Sequence, residues 1–537
     1  MELALQYIGL GITSVFFDAQ GQLWLMPALM VLTGIITGIF IGATPGLSGP
    51  FALALALPVL TSVFGYSNEA LLPVLGCLVG LMKGATVGGA VPAILFNTPG
   101  TPDAFLTTAD GYPMAQKGFA RKAIQTSHFS SVMGDSFSDI VLFIAAPVFA
   151  VAVEHVLDLP EKSALIILSL CFMAAVVGNA PLKGLLGGLL GMLLSLVGTT
   201  LSGNGARMTL GMDSLGSGIP LTSAVLGVLV LSEVLISIED MSRARKAKQV
   251  LPETPEMGPP LTWGERFSMI PNILRSAGIG TFIGALPGIG TTTAATLSYD
   301  TAKRMSKHPE KFGTGTPEGI VATEAANSAV SGANLIPVMS LGIPGNFAAV
   351  FLILAVETIG DFSFGPSVFK FTEIKEIDGY GMIMNKDLVM AFGLFTLMVL
   401  GNLFNWTLGG FVMRFLGHMA KIPKDIIMPL ILLVSLTAAY VQDGGYRGLG
   451  TALVFAVIGY LIRRLHISTL PFVIGFLLAP TLEQLIRGAF TASGGDALFL
   501  LKSPIAVIML ALSGFLIVRM VMQGRAGAAA ARAAKNT

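Results

Sequence analysis

The sequence predicts an all-α polytopic membrane protein made of two inverted-topology repeats. An apolar composition, two pairs of matching segments and an opposite distribution of basic residues in the two halves support this fold class. Of the 537 residues, 53% are hydrophobic and 12% are charged, whereas a soluble chain of this length needs more charge to cover its surface. Many apolar stretches reach the ~20 residues that cross a bilayer as a helix, and we expect about 11–12 transmembrane helices in total.

Two pairs of segments indicate an internal duplication. Residues 38–47 (GIFIGATPGL) match residues 280–289 (GTFIGALPGI) at an offset of 242, with seven of ten positions identical. Residues 92–100 (PAILFNTPG) match residues 337–345 (PVMSLGIPG) at an offset of 245. Because the two pairs follow in the same order along the chain, the sequence predicts one repeat in each half.

The basic residues favour opposite orientations for the two copies. After the first matching segment, residues 59–70 carry no Lys or Arg, whereas residues 303–311 carry four. After the second matching segment the distribution reverses, because residues 117–122 carry three basic residues and residues 348–367 carry none. Since basic residues concentrate in cytoplasmic loops, equivalent loops are predicted to lie on opposite sides of the membrane.

The domain divisions follow from the repeats, the apolar runs and the basic residues. Each repeat is predicted to contain one re-entrant Pro-Gly hairpin and about five crossings. The Lys and Arg residues after position 240 and after position 518 predict a cytoplasmic linker and a cytoplasmic C-terminus. The predicted divisions are 1–20, an N-terminal span or interfacial helix; 21–240, membrane repeat 1; 241–270, the cytoplasmic linker; 271–500, membrane repeat 2; 501–523, an extra C-terminal helix; and 524–537, a disordered cytoplasmic tail.

The Pro-Gly segments predict breaks in membrane helices and, with them, an anion site. A break leaves backbone N–H and C=O groups unpaired, so it persists only where protein, water or a ligand supplies partners. Discontinuous helices at corresponding places in inverted halves indicate a transporter's binding site, and helix starts with hydroxyl groups attract a carboxylate. The predicted substrate-binding residues of this single mid-membrane site are Pro45, Gly46, Leu47, Ser48, Asn97, Thr98, Pro99, Gly100, Pro287, Gly288, Gly290, Thr291, Thr292, Pro344, Gly345 and Asn346. The alternative is that Pro-Gly only shapes helix kinks.

Four polar residues in apolar surroundings are candidates for ion coupling or gating: Lys83, Glu324, Asn327 and Asn334. An ionisable group inside a membrane is a functional candidate by default. Lys83 could contact the substrate, extend toward water or form a structural pair, and Glu324 could instead cap a helix near the interface. The sequence predicts no catalytic residue, metal site or cofactor apart from a coupling ion, Na⁺ or H⁺.

The ordered motifs resemble those of the tripartite tricarboxylate transporters, in their large, TctA-type membrane subunit. They are GATPGLSG (42–49), ILFNTPG (94–100), DGYP (110–113), GALPGIGT (284–291), and PEG (317–319) through EAAN (324–327) to LGIPG (341–345). The resemblance implies a permease of the bacterial inner membrane that works with a smaller membrane subunit and a periplasmic solute-binding protein. It also implies import of citrate-like tricarboxylates or related organic acids by symport, with alternating access.

Two other functions stay open on the sequence. Paired re-entrant segments also occur in channels, so a passive anion channel is an alternative. Residues 46–49 match the Gly-x-Ser-Gly form of intramembrane serine proteases, although the position equivalent to Ser48 is Gly290. ATP-driven transport is not expected, because the chain has no Gly-x-x-x-x-Gly-Lys-Ser/Thr phosphate loop.

Overall fold

The computed structural model describes residues 2–18, 20–44, 47–176, 180–199, 205–244, 256–360, 362–372, 375–377, 381–413 and 424–535. The chain divides into two compact units, which are described separately. The first unit comprises Met1–Val151, Met241–Leu286 and Gly290–Leu430, and the second comprises Ala152–Asp240, Pro287–Ile289 and Ile431–Thr537. Each unit therefore combines segments from both predicted repeats.

The described residues form an almost entirely helical fold. The helices, in chain order, are α1 Glu2–Phe16, α2 Met26–Gly42, α3 Gly49–Phe64, α4 Asn68–Phe96, α5 Thr108–Met114, α6 Ala120–Val156, α7 Leu159–Val176, α8 Pro181–Ser195, α9 Leu221–Leu226, α10 Ser232–Ala244, α11 Trp263–Gly284, α12 Thr291–Met305, α13 Pro317–Ala333, α14 Leu335–Leu341, α15 Phe347–Ile359, α16 Lys386–Phe404, α17 Gly410–Val412, α18 Lys424–Gln442, α19 Tyr446–Arg464, α20 Thr469–Ala492, α21 Phe499–Lys502 and α22 Pro504–Lys535. Two short antiparallel ribbons pair β1 Gly198–Thr199 with β2 Ala206–Arg207 and β3 Lys375–Ile377 with β4 Gly381–Ile383.

Shorter turns complete the secondary structure. The turns of 3₁₀ helix are Pro102–Ala104, Asp213–Leu215, Pro309–Lys311 and Pro366–Phe369. Three π-helical turns, Ala115–Phe119, Gly227–Leu231 and Asn405–Gly409, interrupt longer helical stretches. Such wide turns are often placed at functional sites because they redirect side chains without ending the helix.

Eight helical segments among the described residues are long and apolar enough to cross a membrane. They are Asn68–Phe96, Thr108–Val156, Leu159–Val176, Leu221–Glu239, Lys386–Val412, Tyr446–Arg464, Thr469–Ala492 and Pro504–Gly524. The prediction of an all-α polytopic membrane protein is therefore confirmed. Six shorter apolar helices, which include α2 and α3, add to these eight.

The two Pro-Gly segments each separate a pair of helices. In the first half α2 has 17 residues and α3 has 16, and in the second half α11 has 22 and α12 has 15. Three of these lengths fall short of the ~20 residues that cross a bilayer, as expected for the arms of a re-entrant hairpin, whereas α11 does not. The inverted insertion of the two hairpins stays a prediction.

The second hairpin begins earlier than the sequence suggested. Residues 241–270 were expected to form a linker, but α11 begins at Trp263 and contains Pro271. Thr262 and Glu265 form a capping box, in which the Thr262 hydroxyl accepts from the Glu265 N–H and the Glu265 carboxylate accepts from the Thr262 N–H. This reciprocal cap satisfies free N–H groups at the helix start and explains the earlier boundary.

Helices α2 and α4 of the first unit touch backbone to backbone. A Cβ added to Gly38 would lie 2.6 Å from the Leu81 carbonyl oxygen, and one added to Gly42 would lie 2.9 Å from the Ala85 Cα. The facing side of α4 is also glycine, at every fourth position from residue 76 to residue 88. Only glycine permits this approach, because any side chain would force the helices apart.

The same contact recurs between α11 and α13. A Cβ on Gly280 would lie 2.8 Å from the Ala326 Cα, and one on Gly284 would lie 2.9 Å from the Val330 Cα. These four residues stand at the positions that the offsets of 242 and 245 relate to the contacts of α2 with α4. The duplication noted in the sequence therefore extends to the register of helix packing within the first unit.

The second unit pairs helices from the two halves of the chain. Helix α8 packs against α20, where a Cβ on Gly191 would lie 2.9 Å from the Phe472 carbonyl carbon. Helix α19 packs against the π-helical turn Gly227–Leu231, and a Cβ on Gly459 would lie 2.8 Å from the Val228 Cα. Each half of the sequence thus supplies one partner to both contacts.

The C-terminal segment is helical beyond the predicted boundary. Helix α22 runs over Pro504–Lys535, whereas residues 524–537 were expected to be disordered. The composition explains the difference, because the segment is rich in alanine, which has the highest helix propensity, and it directly continues an apolar helix. The last two residues lie outside the described part of the chain.

Alanine substitutions at two glycines of α11 distinguish the effect of close packing on stability from the effect of helix propensity. Gly280→Ala places a Cβ against α13, whereas Gly278→Ala meets no atom within 4 Å. We expect Gly280→Ala to destabilise the protein by roughly 1–3 kcal/mol through overpacking, and Gly278→Ala to be neutral or slightly stabilising, because alanine favours a helix. Thermal unfolding of the purified protein in detergent measures both changes. Equal effects of the two substitutions would contradict the close contact.

Cysteine labelling tests the inverted insertion. Tyr66 and Lys307 follow the first and second hairpins, and both side chains are exposed. A membrane-impermeant thiol reagent is expected to label Tyr66→Cys from the periplasmic side and Lys307→Cys from the cytoplasmic side. The native Cys77 and Cys171 are buried, which keeps the background low. Labelling of both positions from one side would rule out inversion.

Candidate functional site

The first break lies between α2 and α3, in the first unit. Helix α2 ends at Gly42, and the Thr44 hydroxyl donates to the Phe40 carbonyl oxygen of its last turn at 2.9 Å. Leu47 is buried, and Ser48 caps α3 by accepting a hydrogen bond from the Phe51 N–H at 3.4 Å. The predicted site residues Pro45 and Gly46 lie outside the described residues.

The second break follows α4 and contains Pro99. Asn97 ends the helix in the left-handed conformation, with φ 53°, and both Asn97 and Thr98 are exposed. Gly100 donates to the Gly89 carbonyl oxygen at 3.1 Å, and it lies so close to the Gly42 carbonyl oxygen that a Cβ has no room. This contact brings the second break against the end of α2.

The third break precedes α12. Gly290 has φ 78° and is followed by Thr291, whose hydroxyl donates to the half-buried carboxylate of Asp103. Thr292, the next residue, is exposed. Asp103 belongs to the turn that follows the second break, so the second and third breaks lie side by side in the first unit.

The preceding residues of the third break, Pro287 and Gly288, belong to the second unit. Gly288 has φ 84° and packs against Met173 of α7, where a Cβ would lie 2.8 Å from the Met173 Cα. Both the positive φ and the contact require glycine at this position. That Pro287 and Gly288 contribute to the anion site stays a prediction.

The fourth break repeats the geometry of the second. Gly342 ends α14 in the left-handed conformation, with φ 71°, at the position that matches Asn97. Pro344 and Gly345 are buried, and Asn346 caps α15 by accepting from the Ala349 N–H at 2.8 Å. Helix α15 packs against α3, which joins the fourth break to the first.

The breaks of the first unit therefore meet in pairs. The end of α2 contacts Gly100, Thr291 contacts Asp103, and α3 contacts α15. Apart from the Asp103 carboxylate, the groups that the breaks present are hydroxyls, amides and backbone N–H groups, since residues 42–48, 97–103, 284–286, 290–292 and 342–346 include no Lys or Arg. Such neutral donors can hold a carboxylate without a strong salt bridge.

Glu324 is a fully buried carboxylate in α13. Its Oε1 accepts from the Thr107 hydroxyl, and its Oε2 accepts from the Ser131 hydroxyl at 2.9 Å. The Thr107 and Thr323 hydroxyl oxygens lie 3.2 Å apart. The carboxylate is thus surrounded by neutral hydroxyl groups. Their oxygen atoms can accept a hydrogen bond from a protonated carboxyl group or coordinate a small hard cation.

Several buried polar atoms near Glu324 in the sequence have no partner. In the described part of the chain, both side-chain amide atoms of Asn327, the Nδ2 of Asn334 and the Oγ of Ser328 make no hydrogen bond. Unsatisfied buried polar atoms are rare in proteins and are costly in free energy. These atoms on α13 and at its C-terminal end are therefore candidate contacts for a ligand or ion.

Lys83 is buried in α4 and forms the centre of an ionic cluster. Its Nζ lies 2.7 Å from Asp135 Oδ2, 2.7 Å from Asp139 Oδ2 and 3.0 Å from Asn402 Oδ1. Asn402 also donates from Nδ2 to Asp139 Oδ2 at 2.7 Å. An ammonium group has three hydrogens, and all three have acceptors here. Lys83 therefore has no donor left for a substrate carboxylate in this arrangement.

Asp110, within the DGYP motif, anchors the start of α13. Its Oδ1 accepts from the backbone N–H groups of Gly313, Gly315 and Thr316 at 3.0, 2.8 and 2.9 Å. Its Oδ2 accepts from the Tyr299 hydroxyl at 2.8 Å. These four bonds fix the loop that leads into α13 and so help to position Glu324.

Sequence reasoning missed the partners of both charged candidates. Asp135 and Asp139 stand four residues apart in an apolar segment, and this spacing places them on one helix face. Their position inside a candidate span was a usable signal, because intramembrane carboxylates are rarely incidental. Thr107 and Ser131 gave no such signal, because isolated hydroxyls are common in membrane helices.

A cavity of about 400 Å³ lies elsewhere in the first unit. Its lining includes Arg121, His128, Arg266 and Trp406 but none of the predicted site residues. The Arg266 guanidinium lies 5.4 Å from the centroid of the Phe129 ring, within the range of a cation–π contact. This cavity is separate from the breaks and is not the candidate site.

Comparisons with known proteins agree with the motifs. The family model described as the tripartite tricarboxylate transporter TctA family matches residues 28–474. An uncharacterized 52.8 kDa protein in the TAR-I ttuC' 3' region of Agrobacterium vitis is 30% identical over 482 residues, which cover 89% of this chain and 90% of that protein. An uncharacterized protein in the TAR-II ttuC' 3' region of the same organism is 29% identical over 233 residues, which cover 43% of this chain and 90% of that protein. No solved structure matches.

The family match covers most of the chain, and it confirms the resemblance that the motifs predicted. Together with the apolar helices it makes the chain a multi-pass membrane protein of a transporter family. Members of this family form the membrane subunit of three-component transporters. The chain belongs to the tripartite tricarboxylate transporter TctA family.

Proposed function

We propose that this chain is the permease subunit of a secondary active transporter that imports tricarboxylates or related organic acids across the bacterial inner membrane. The family description supports a tricarboxylate such as citrate as the substrate class. The proposed partners are a smaller membrane subunit and a periplasmic solute-binding protein that delivers the substrate. The basic residues near the C-terminus support a cytoplasmic location for that end.

The meeting of the helix breaks in the first unit carries this proposal. Broken helices inside an apolar protein expose backbone N–H groups, and a carboxylate can accept hydrogen bonds from them. Asn97 and Thr98 are exposed beside the second break, and Asn346 stands at the start of α15. A polyanion with several carboxylates can contact several such donors at once.

Carboxylates near the breaks support coupling to a cation. Asp103 stands beside the second and third breaks, and Glu324 accepts from Thr107, four residues further along the chain, whereas no Lys or Arg stands at the breaks. An organic anion entering these surroundings gains stability when a cation accompanies it, because like charges at low dielectric repel strongly. We therefore propose Na⁺ or H⁺ symport with alternating access, with Lys83, Glu324, Asn327 and Asn334 as the candidate residues for coupling or gating.

The two rival functions predict different behaviour. A passive channel moves its anion only down the electrochemical gradient. A serine protease needs an activated nucleophile, whereas the Ser48 side chain accepts the cap bond at the start of α3. The family is a transporter family and not an enzyme family, which favours transport over proteolysis.

Uptake assays with a panel of labelled di- and tricarboxylates test the proposal. Cells expressing the chain with its smaller membrane subunit and binding protein are expected to accumulate at least one of these acids above equilibrium. Accumulation should saturate, should require the binding protein and should fall when the sodium or proton gradient is collapsed. Flux that only follows the gradient would favour the channel, and the absence of uptake across the whole panel would exclude the proposed substrate class.

Thr98→Val tests the donors at the second break. The Thr98 hydroxyl donates to the Phe96 carbonyl oxygen at 3.1 Å within its own turn, so its removal should leave the fold intact. Loss of a hydrogen bond to a charged substrate, worth ~1.5–3 kcal/mol, should raise KM about tenfold or more. The control is Thr491→Val, whose exposed hydroxyl donates only to the Arg487 carbonyl oxygen of its own helix at 2.9 Å. Equal KM values for the two variants would remove Thr98 from the site.

A further inference from the structure

The cluster around Lys83 carries an unbalanced charge. One ammonium group, that of Lys83, bonds to two carboxylates, those of Asp135 and Asp139. With all three groups ionised, the cluster has one negative charge in excess. Among the described residues, Lys83 is the cation bonded to either aspartate, and the Asn402 side chain is neutral. All four side chains are buried or nearly so.

A buried excess charge is unstable unless something neutralises it. Moving an unpaired carboxylate out of water costs several kcal/mol, even where other dipoles surround it. The Lys83 ammonium already has three acceptors, so it can offer no further bond to either aspartate. A positive ion that joins the cluster removes the excess charge.

Two oxygen atoms of the cluster are free to receive that ion. Asp135 Oδ1 and Asp139 Oδ1 are buried and make no hydrogen bond within the described part of the chain. Glu324, the buried carboxylate of α13, differs in this respect, because both of its oxygens accept from hydroxyl groups. The free oxygens therefore distinguish the aspartate pair from Glu324.

We infer that the Asp135–Asp139 pair binds one exchangeable proton, and that this proton is the ion whose gradient drives transport. The inference rests on the proposed function. A proton enters the pair from the outer aqueous side, converts one carboxylate into a carboxylic acid and leaves to the inner side. Lys83 stays charged and holds the two carboxyl groups together.

Other charged groups on the neighbouring helices do not complete the cluster. The charged groups on helices and turns packed against α4, and on α6 itself, are Glu69, Asp103, Asp110, Arg121, Lys122, His128, Glu154, His155, Glu318, Glu324, Glu357, Lys386 and Asp387. Glu324 is the member of this set that reaches α6 next to the cluster, through Ser131, one turn before Asp135. Helix α2, which also packs against α4, has no charged residue.

The position of the cluster links the proton to the substrate site. Lys83 belongs to α4, which ends at the break after Phe96. Asp139 Oδ1 faces Gly332 of α13 so closely that a Cβ on this glycine has no room. Helix α13 leads through α14 to the break at Gly342. The second and fourth breaks therefore lie at the ends of helical segments that touch the cluster, so a change of its charge acts on both.

Proteoliposomes that contain the chain with its smaller membrane subunit provide the test, with binding protein and citrate supplied outside. Two assays are compared: citrate accumulation driven by an imposed pH gradient, and exchange of labelled for unlabelled citrate without a gradient. In Asp135→Asn and Asp139→Asn the neutral amide imitates the protonated carboxyl group. Both variants should lose pH-driven accumulation while exchange continues. Glu324→Gln tests the rival coupling site, because Glu324 is itself a candidate coupling residue; if the aspartate pair carries the proton, this variant keeps pH-driven accumulation.

The outcomes separate the proton site from the proposed function. Unchanged pH-driven accumulation in both aspartate variants overturns the inference, as does the selective loss of coupling in Glu324→Gln. Accumulation by the wild-type protein that follows sodium and ignores the pH gradient overturns it as well, while the transport function stands. If the wild-type protein neither accumulates nor exchanges any acid of the panel, the proposed function fails too.

Infrared spectroscopy supplies a measurement that needs no substrate and no variant. The wild-type protein in lipid should show the carbonyl band of a buried carboxylic acid that titrates with pH. Incorporation of carboxyl-labelled aspartate should shift this band, whereas carboxyl-labelled glutamate should not. A band that shifts only with glutamate, or no titrating band at all, overturns the inference even where the Asn variants fail to insert into the membrane.

Discussion

The positions of the helix breaks and of the ionic cluster in the first unit depend on the backbone contact between α2 and α4. Glycines on both helices remove the side chains that normally keep helices 8–10 Å apart. This close approach brings the end of α2 against Gly100 and so joins two helix breaks that are more than 50 residues apart in the sequence. Lys83, on the same helix α4, reaches Asp135 of α6 and Asn402 of α16. The hairpin, the breaks and the ionic cluster thus all contact one helix, α4.

The polar groups inside the first unit fall into two classes. Asp110 and Glu324 have donors for both carboxylate oxygens, and such satisfied groups make a structure rigid. Asn327 and the Asp135–Asp139 pair have polar atoms without partners, and these atoms are stable only when an ion, a proton or a ligand joins them. A transporter needs both classes, because rigid anchors transmit the effect of a ligand that binds at the unsatisfied groups.

The sequence was sufficient for the membrane class, the duplication and the helix breaks, because each depends on composition or local spacing, and it singled out Lys83 as an ionisable residue in an apolar stretch. It was insufficient for the partners of Lys83, since Asp135 and Asp139 stand more than 50 residues away and resemble ordinary polar residues of a serine-rich stretch. The start of α11 was missed because the cap at Thr262 was not recognised. The contact of Thr291 with Asp103 depends on tertiary packing between the two halves, which no local pattern contains.

The exchange of helices in the second unit has a consequence for how the chain is made. Helix α8 finds its partner in α20, and the turn Gly227–Leu231 finds its partner in α19. A ribosome must therefore add more than 270 residues after α8 before that helix can be covered. Non-local contacts of this kind slow folding and expose apolar surface in the meantime. The first half of the chain cannot complete this unit on its own, so α8 lacks its partner α20 until the second half has been synthesised.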